Sequence, residues 1–182
     1  MPRLVDVTRT YLAIEHLEQL VAPVAPPEAT SAPRLRLEAL THCSIPAWRA
    51  LYAQIGGPWH WHDRDTWSDD ALRTHLDGAG VHVYVVQAHD DTAEAPAGGM
   101  LELEQHTDGS VEIVYLGLDH RLMGKRLGAL LVHGAVQEAF RLGATRVWLH
   151  TCTLDAPAAL PSYLARGFVT TRTEQYQTTL PD

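Results

Sequence analysis

The chain has 182 residues, 46% hydrophobic and 20% charged, which is typical of one globular domain with a buried core. A formal net charge of -8 argues against nucleic acids and anionic membranes as partners, because like charges repel. No apolar run approaches the roughly 20 residues of a membrane helix, and the opening residues lack the apolar core of a secretory signal. The two distant cysteines, Cys43 and Cys152, suit a reducing compartment, so we expect a cytoplasmic protein.

The first third of the chain is heterogeneous. Alternating hydrophobicity predicts a strand at 6–14, and a short helix is expected at 15–20. Residues 21–33 are rich in Pro and Ala, which favours a surface connection over either regular structure. We expect residues 1–34 to form an N-terminal extension and residues 35–182 to form a single domain.

The hydrophobic pattern sharpens in the rest of the chain. After an alternating strand at 34–40, apolar residues at helical spacing predict a helix over 44–56, ended by Gly56 and Gly57. Ser68 predicts the capped start of a second helix. The later elements run strand, strand, strand, helix, strand, helix and strand, at 81–88, 98–105, 111–118, 126–143, 145–153, 156–167 and 168–180. This order predicts an α/β fold with a mixed central sheet flanked by helices.

A basic loop precedes the long helix, in the segment LGLDHRLMGKRLGALL. Arg121, Lys125 and Arg126 supply positive charge, and Lys125 is the only lysine of an acidic chain. Gly124 and Gly128 allow the backbone to approach a ligand closely. A helix start presents unpaired N–H groups and the positive end of the helix dipole, so the loop predicts a pyrophosphate site without a metal.

Three segments together resemble the GCN5-related N-acetyltransferase (GNAT) family. Arg121-x-x-Gly124 before a helix resembles the acetyl-CoA pyrophosphate loop of that family, and Tyr163-x-x-x-Gly167-Phe168 resembles its last-helix motif. The strand VEIVYLGL resembles the one that carries the family's general base and acetyl-positioning backbone. The resemblance spans about residues 35–178, in the family's order and spacing.

Two positions depart from the family's pattern. Arg126 stands where the family usually has Gly or Ala, and Ala156 stands where it commonly has Asn. Pro157 and Pro161 also make the last helix unusual. These departures bear on the fine geometry of cofactor binding more than on the fold.

The resemblance implies an enzyme that moves an acetyl group from acetyl-CoA to a primary amine by direct attack in a ternary complex, with no metal. It implies Tyr163 as the acid that protonates the departing thiolate and Glu112 as the base, with Glu102 in reserve. The residues implied to bind acetyl-CoA are Leu116, Gly117, Leu118, Arg121, Gly124, Lys125, Arg126, Leu127 and Gly128. Trp59 and Trp61 would face a cationic or apolar acceptor, with Asp63 or Asp65 as a counter-charge.

Simpler interpretations of the same residues stay open. Glu102 and Glu112 are also typical of the polar side of a half-exposed sheet, and Tyr163 is typical of a core residue. Trp59 and Trp61 are typical of a loop held against the protein surface by its aromatic side chains. The stretch WHWHD also offers His60, His62 and Asp63 as the beginning of a zinc site, which would indicate a hydrolase. A CoA-binding sensor without chemistry is the other rival. The acceptor and the oligomeric state stay open too, with a homodimer as one option.

Overall fold

The computed structural model describes residues 2–24, 34–89 and 98–180. The strands are β1 Arg3–Ile14, β2 Arg34–Ala39, β3 Val81–His89, β4 Gly98–Gln105, β5 Ser110–Leu118, β6 Arg146–Cys152 and β7 Val169–Leu180. The helices are α1 Ile45–Gly56, α2 Asp69–Leu76, α3 Leu127–Arg141 and α4 Ala159–Ala165. Short 3-10 turns occupy Leu17–Gln19, Gly57–Trp59 and His120–Leu122. Most of the predicted connection at 21–33 and of the turn at 89–97 lies outside the described residues.

The strands form one mixed sheet in the order β2-β3-β4-β5-β6-β1-β7. Neighbouring strands are antiparallel except β5 and β6, which are parallel. The predicted α/β fold with a mixed sheet flanked by helices is confirmed. The short helix expected at 15–20 is a single 3-10 turn, in which the Gln19 side chain accepts hydrogen bonds from the backbone N–H groups of Glu15 and His16.

One face of the sheet packs against α3 and α4. Helix α3 buries a stripe at helical spacing, made of Leu127, Leu131, Val132, Ala135, Val136 and Ala139. All of these side chains except Leu127 meet buried residues of β1, β3, β4, β5 and β6, and Tyr163 and Phe168 complete this core at the α4 end. Gly143 ends the α3 segment with a φ of +93°, a left-handed conformation that glycine adopts without steric cost.

The other face is covered by α1 and α2 beside β3, β4 and β5. Trp48, Tyr52 and Ile55 of the predicted α1 stripe are buried there. Ser44 and Ser68 cap the two helices, each accepting a backbone N–H at 3.2 Å. Among the described helices, none is long and apolar enough to cross a lipid bilayer.

The N-terminal strand β1 lies inside the sheet rather than beside it. It pairs with β6 on one side, where Arg9 opposes Cys152, and with β7 on the other, where Arg9 opposes Glu174. The segment after β1 also contacts the end of α4, because the Val21 N–H donates to the Arg166 carbonyl at 3.1 Å. The first 20 residues therefore connect the edge strand β7 to the rest of the sheet.

Candidate active site

An opening between β5 and β6 is the central feature of the site. The two parallel strands pair only where Ser110–Glu112 faces Arg146–Trp148. Beyond that point both strands continue, but they no longer pair with each other. A gap is therefore left beside the second half of β5. Since such a gap joins the two faces of the sheet, groups from opposite faces can approach one ligand there.

A β-bulge in β5 sets which side chains border the opening. Ile113 opposes Leu103 and Tyr115 opposes Glu102, so Val114 is an extra residue on β5. Beyond the bulge Tyr115 lies in the cluster under α1, while Leu116 and Leu118 pack toward α3. The last residues of β5, which are predicted to position the acetyl group, therefore line the gap in a fixed register.

Gly117 makes a close contact on the α1 side of the same strand. A Cβ built at Gly117 would clash with Ile55 Cγ2 and would lie 3.4 Å from the edge of the Trp61 ring. Trp61, predicted on the acceptor side, and Gly117, predicted on the cofactor side, are thus brought together. Only glycine leaves space for that contact.

Asp119 anchors the start of the basic loop. It is buried and accepts hydrogen bonds from the Arg121 backbone N–H at 2.9 Å, from Arg121 Nε at 2.7 Å, and from Gln54 Nε2 at 2.5 Å. The Arg121 side chain holds the pKa of Asp119 well below its usual range, although burial opposes this. Arg121 is therefore tied to its own loop by Asp119, while about half of its side chain stays exposed.

The loop then turns sharply into α3. Gly124 and Arg126 have φ values of +74° and +61°, and α3 begins at Leu127. Built Cβ atoms at Gly124 and Gly128 would meet no atom within 4 Å, and Lys125 is exposed. Buried Leu122 and Leu127 fix the loop at both ends against a small cluster with Leu35, Leu118 and Leu130. The result is an exposed helix start with basic side chains, which fits an anionic group.

The backbone conformation of Arg126 shows how the loop accommodates an arginine where the family usually has Gly or Ala. Its backbone takes the left-handed conformation that glycine adopts most readily. The chain direction that glycine would permit is thus kept, with an arginine side chain added at the helix start.

Glu112 lies on the face opposite α3, where β5 and β6 last pair. Its side chain is 14% exposed, and its carboxylate oxygens lie 3.4 Å from His106 Nε2 and 3.9 Å from His150 Nε2. Burial raises the pKa of Glu112, and His106 opposes that rise. Burial, followed by the charge of Arg9, lowers the pKa of His150, so this imidazole is neutral at pH 7. Sequence reasoning missed both histidines, because no local motif marks them.

Glu102 has a different environment. It is fully buried, with Oε1 lying 2.7 Å from Arg64 Nη1 and 3.0 Å from His75 Nε2, and it accepts a hydrogen bond from Trp48 Nε1 at 3.4 Å. A carboxylate enclosed in this way has no open side toward a ligand. The geometry therefore favours Glu112 over Glu102 as the base.

Residues 57–68, which we call the α1–α2 loop, carry the sequence WHWHD. Trp61 packs inward, with its ring centroid 4.8 Å from that of Tyr115 and 5.8 Å from that of Tyr52. A Cβ built at Gly56 would clash with the same ring, which is why α1 ends in glycine. Trp59 is half-buried, and Asp63 is exposed on the outer side of the loop.

The histidines of the α1–α2 loop have other contacts. His60 has a φ of +59° and is exposed, and His62 Nδ1 lies 2.7 Å from Asp65 Oδ2. Across residues 2–24, 34–89 and 98–180, no group of three or more His, Cys, Asp or Glu side chains is arranged to hold a metal ion. A surface depression near Trp67 and His75 includes none of the predicted site residues.

Tyr163 lies on the α3 side of the sheet. It is buried, and its ring contacts Phe168 edge-on at a centroid distance of 5.9 Å. Burial raises the pKa of Tyr163 and the charge of Asp155 adds to the rise, so the hydroxyl keeps its proton at pH 7. Burial likewise raises the pKa of the Cys152 thiol, which fits a strand residue rather than a nucleophile.

A comparison with protein-family models agrees with the family resemblance of the sequence motifs. The model of the family described as "Acetyltransferase (GNAT) family" matches residues 45–168. The chain belongs to this family. The matched range contains β5, the basic loop, α3 and Tyr163, whereas β1 and β7 lie outside it. None of the curated proteins matches the chain.

Solved structures share the fold. A GCN5-related N-acetyltransferase from Kribbella flavida has a TM-score of 0.59 and 22% identity over 98% of this chain and 60% of its own. One from Sphaerobacter thermophilus has a TM-score of 0.64 and 14% identity over 98% of this chain and 53% of its own. An aminoglycoside acetyltransferase from an uncultured soil metagenomic sample, in complex with trehalose, has a TM-score of 0.54 and 18% identity over 72% of this chain and 86% of its own. The chain thus spans little more than half the length of the first two.

Proposed function

We propose that this GNAT protein transfers an acetyl group from acetyl-CoA to a primary amine, by direct attack in a ternary complex without a metal. The observation that carries the proposal is the gap between β5 and β6. Helix α3 and its basic start follow β5 on one face of the sheet, and Glu112 lies on the other face, where β5 and β6 last pair.

The loop before α3 would hold the pyrophosphate. The N–H groups of the first turn have no partner within the helix, so they can donate to phosphate oxygens. Arg121, Lys125 and Arg126 would add positive charge, while Leu127 and Gly128 would contribute backbone. The arm that carries the acetyl group would then lie along Leu116, Gly117 and Leu118, where backbone N–H groups would stabilise the developing charge on the carbonyl oxygen.

Glu112 would remove the proton from the amine. A lysine-like ammonium must lose a proton at pH 7 before it can attack, which costs about 4.6 kcal/mol. A carboxylate with a raised pKa is better matched to this task than an ordinary one. The free amine would attack the thioester carbonyl, the C–S bond would break, and Tyr163 would give its proton to the departing thiolate. The nitrogen of the new amide would lose its extra proton, and the Tyr163 phenolate would regain one, by exchange through solvent.

Gly124 offers the sharpest test of cofactor binding. Gly124 and Gly143 both have positive φ and open space around a built Cβ, but they lie at opposite ends of α3. Leucine at either position therefore introduces a similar backbone strain. Calorimetry should find that Gly124→Leu weakens acetyl-CoA binding while Gly143→Leu does not. If both variants lost acetyl-CoA affinity equally, the loss would come from backbone strain, and the proposed pyrophosphate site would be wrong.

Turnover needs a separate test. CoA release should be measured over a panel of amines for the native chain, Glu112→Gln and Tyr163→Phe. Tyr84→Phe is the control, because it removes a buried hydroxyl that donates to Glu138 on the far side of the core. Both site variants should lower kcat with acetyl-CoA affinity kept, and the control should lower neither. Tight acetyl-CoA binding with no turnover on any amine would indicate a sensor.

A further inference from the structure

Arg64 is an internal cation in a mostly exposed loop. Its neighbours Asp63 and Asp65 face solvent, whereas Arg64 is only 5% exposed. Its guanidinium carbon lies 4.9 Å from the ring centroids of Trp67 and Tyr115 and 5.6 Å from that of Trp48. Glu102 completes the enclosure. We call Arg64, Glu102 and the three rings the arginine box.

The arginine box joins parts of the chain that are otherwise separate. Trp48 comes from α1, Trp67 from the α1–α2 loop, Tyr115 from β5 and Glu102 from β4. His75 of α2 contacts the same carboxylate oxygen. A buried charge left without its partner is costly, so the loop cannot move away while Arg64 remains in the box.

The arginine box also determines where Trp61 lies. Tyr115 contacts the Arg64 guanidinium and, with its ring centroid 4.8 Å away, the Trp61 ring. Trp61 in turn covers Gly117 at the end of β5. A continuous series of contacts therefore runs from a buried ion pair to the strand that borders the gap.

We infer that Arg64 is a positioning residue, which fixes the α1–α2 loop as a preformed wall on the acceptor side of the site. The three rings of the arginine box hold the chain's own cation, and Trp61, which the sequence assigned to the acceptor, packs inward on Tyr115. A cationic acceptor is thus left with the outer surface of the loop, where Asp63 is exposed. The acceptor part of this inference depends on the proposed function, but the rigidity of the loop does not.

The first experiment measures amide hydrogen exchange in the full chain. Arg64→Met removes the charge, and Arg64→Lys keeps the charge but loses the planar group that stacks on rings. Arg141→Met is the matched control, since it breaks a surface ion pair with Glu138 at 2.6 Å. Amides of residues 57–68 should exchange about tenfold faster or more in Arg64→Met, less so in Arg64→Lys, and unchanged in the control. Unchanged loop exchange in Arg64→Met would overturn the inference.

The second experiment separates positioning from general damage. With an accepted amine, Arg64→Met should raise the acceptor KM about tenfold and leave the acetyl-CoA Kd within about twofold. Equal changes in both would overturn the positioning role. If Arg64→Met does not fold, Arg64→Met with Glu102→Gln removes both buried charges, and native-like loop exchange in that variant would also overturn it. A native chain that accepts no amine contradicts the proposed function, and the exchange result still decides on Arg64.

Discussion

The two loops that border the gap are built in opposite ways. The tip of the loop before α3, residues 123–126, is exposed, and its shape comes from the backbone, with positive φ at Gly124 and Arg126. The α1–α2 loop is shaped by buried side chains, with Arg64 and Trp61 packed into the aromatic cluster under α1. A loop shaped by its backbone leaves its N–H groups available to a ligand. A loop shaped by side chains gives a rigid wall.

This contrast predicts different sensitivities to mutation. Side-chain changes should be costly in the α1–α2 loop and its partners, because they leave buried charges or cavities. At the exposed positions of the loop before α3, residues 123–126, side-chain changes should cost little stability and act on binding instead.

The largest effect is expected for Glu102→Ala. The variant leaves the Arg64 guanidinium buried without its carboxylate, so the free energy of unfolding should fall by about 3–5 kcal/mol. Glu104→Ala is the control, because Glu104 is the next residue of β4 on the same face but is only half-buried. Urea denaturation measures both. A loss below about 1 kcal/mol for Glu102→Ala would mean that the ion pair does not hold the loop.

A smaller loss of stability is expected at Gly117, where α1 and the α1–α2 loop pack against the end of β5. Gly117→Ala places a methyl group against Ile55 and Trp61, so overpacking should cost about 1–3 kcal/mol. Gly128→Ala lies in α3 with open space around it and should stabilise the fold by about 0.5–1 kcal/mol. Thermal denaturation compares the two glycines directly. Similar effects at both would remove the distinction between the loops.

The sequence predicted what depends on local signals. Hydrophobic periodicity gave the order of strands and helices, and the cap predicted at Ser68 agrees with the start of α2 because a cap acts within three residues. The basic loop was also visible, since its glycines and charges are adjacent in sequence. Its family assignment is confirmed by the match over residues 45–168.

Long-range pairing was not visible in the sequence. Arg64 and Glu102 are 38 residues apart, and β1 pairs with β6 and β7 across more than 130 residues. Nothing local distinguishes Arg64 from the other charged residues of its loop. The histidines around Glu112 were missed for the same reason, because His106 and His150 lie on separate segments and converge only in the folded sheet.

The raised pKa of Glu112 predicts how the free energy of unfolding depends on pH. Burial raises its pKa above 4.5, so the folded chain binds this proton more tightly than the unfolded chain does. The stability that Glu112 contributes is complete below pH 4.5 and is lost as pH rises through the raised pKa. Glu112→Gln cannot ionise, so its stability should exceed that of the native chain at pH 7, by a margin that shrinks toward pH 4.5.

Glu138→Gln supplies the control of opposite sign. Hydrogen bonds from Arg141 lower the pKa of Glu138, so its contribution is present at neutral pH and is lost as pH falls through that lowered pKa. This variant should therefore be less stable than the native chain at pH 7. Urea denaturation at several pH values measures both differences. A Glu112→Gln difference that does not change with pH would contradict the raised pKa.

The smallest effect is expected at Arg126, the backbone position where the loop before α3 differs from its family. Left-handed φ costs a residue with a Cβ about 1–2 kcal/mol, part of which glycine's greater freedom in the unfolded chain offsets. Arg126→Gly should therefore be about 0.5–1 kcal/mol more stable than Arg126→Ala, although both lose the same cation. Both should weaken acetyl-CoA binding to a similar extent and more so at low salt, because the lost contribution is electrostatic. Denaturation of the two variants measures the cost of the left-handed backbone, and calorimetry measures what the lost cation contributed to acetyl-CoA binding. If alanine were as stable as glycine, the loop would not require the left-handed conformation, and its shape would depend on side chains as in the α1–α2 loop.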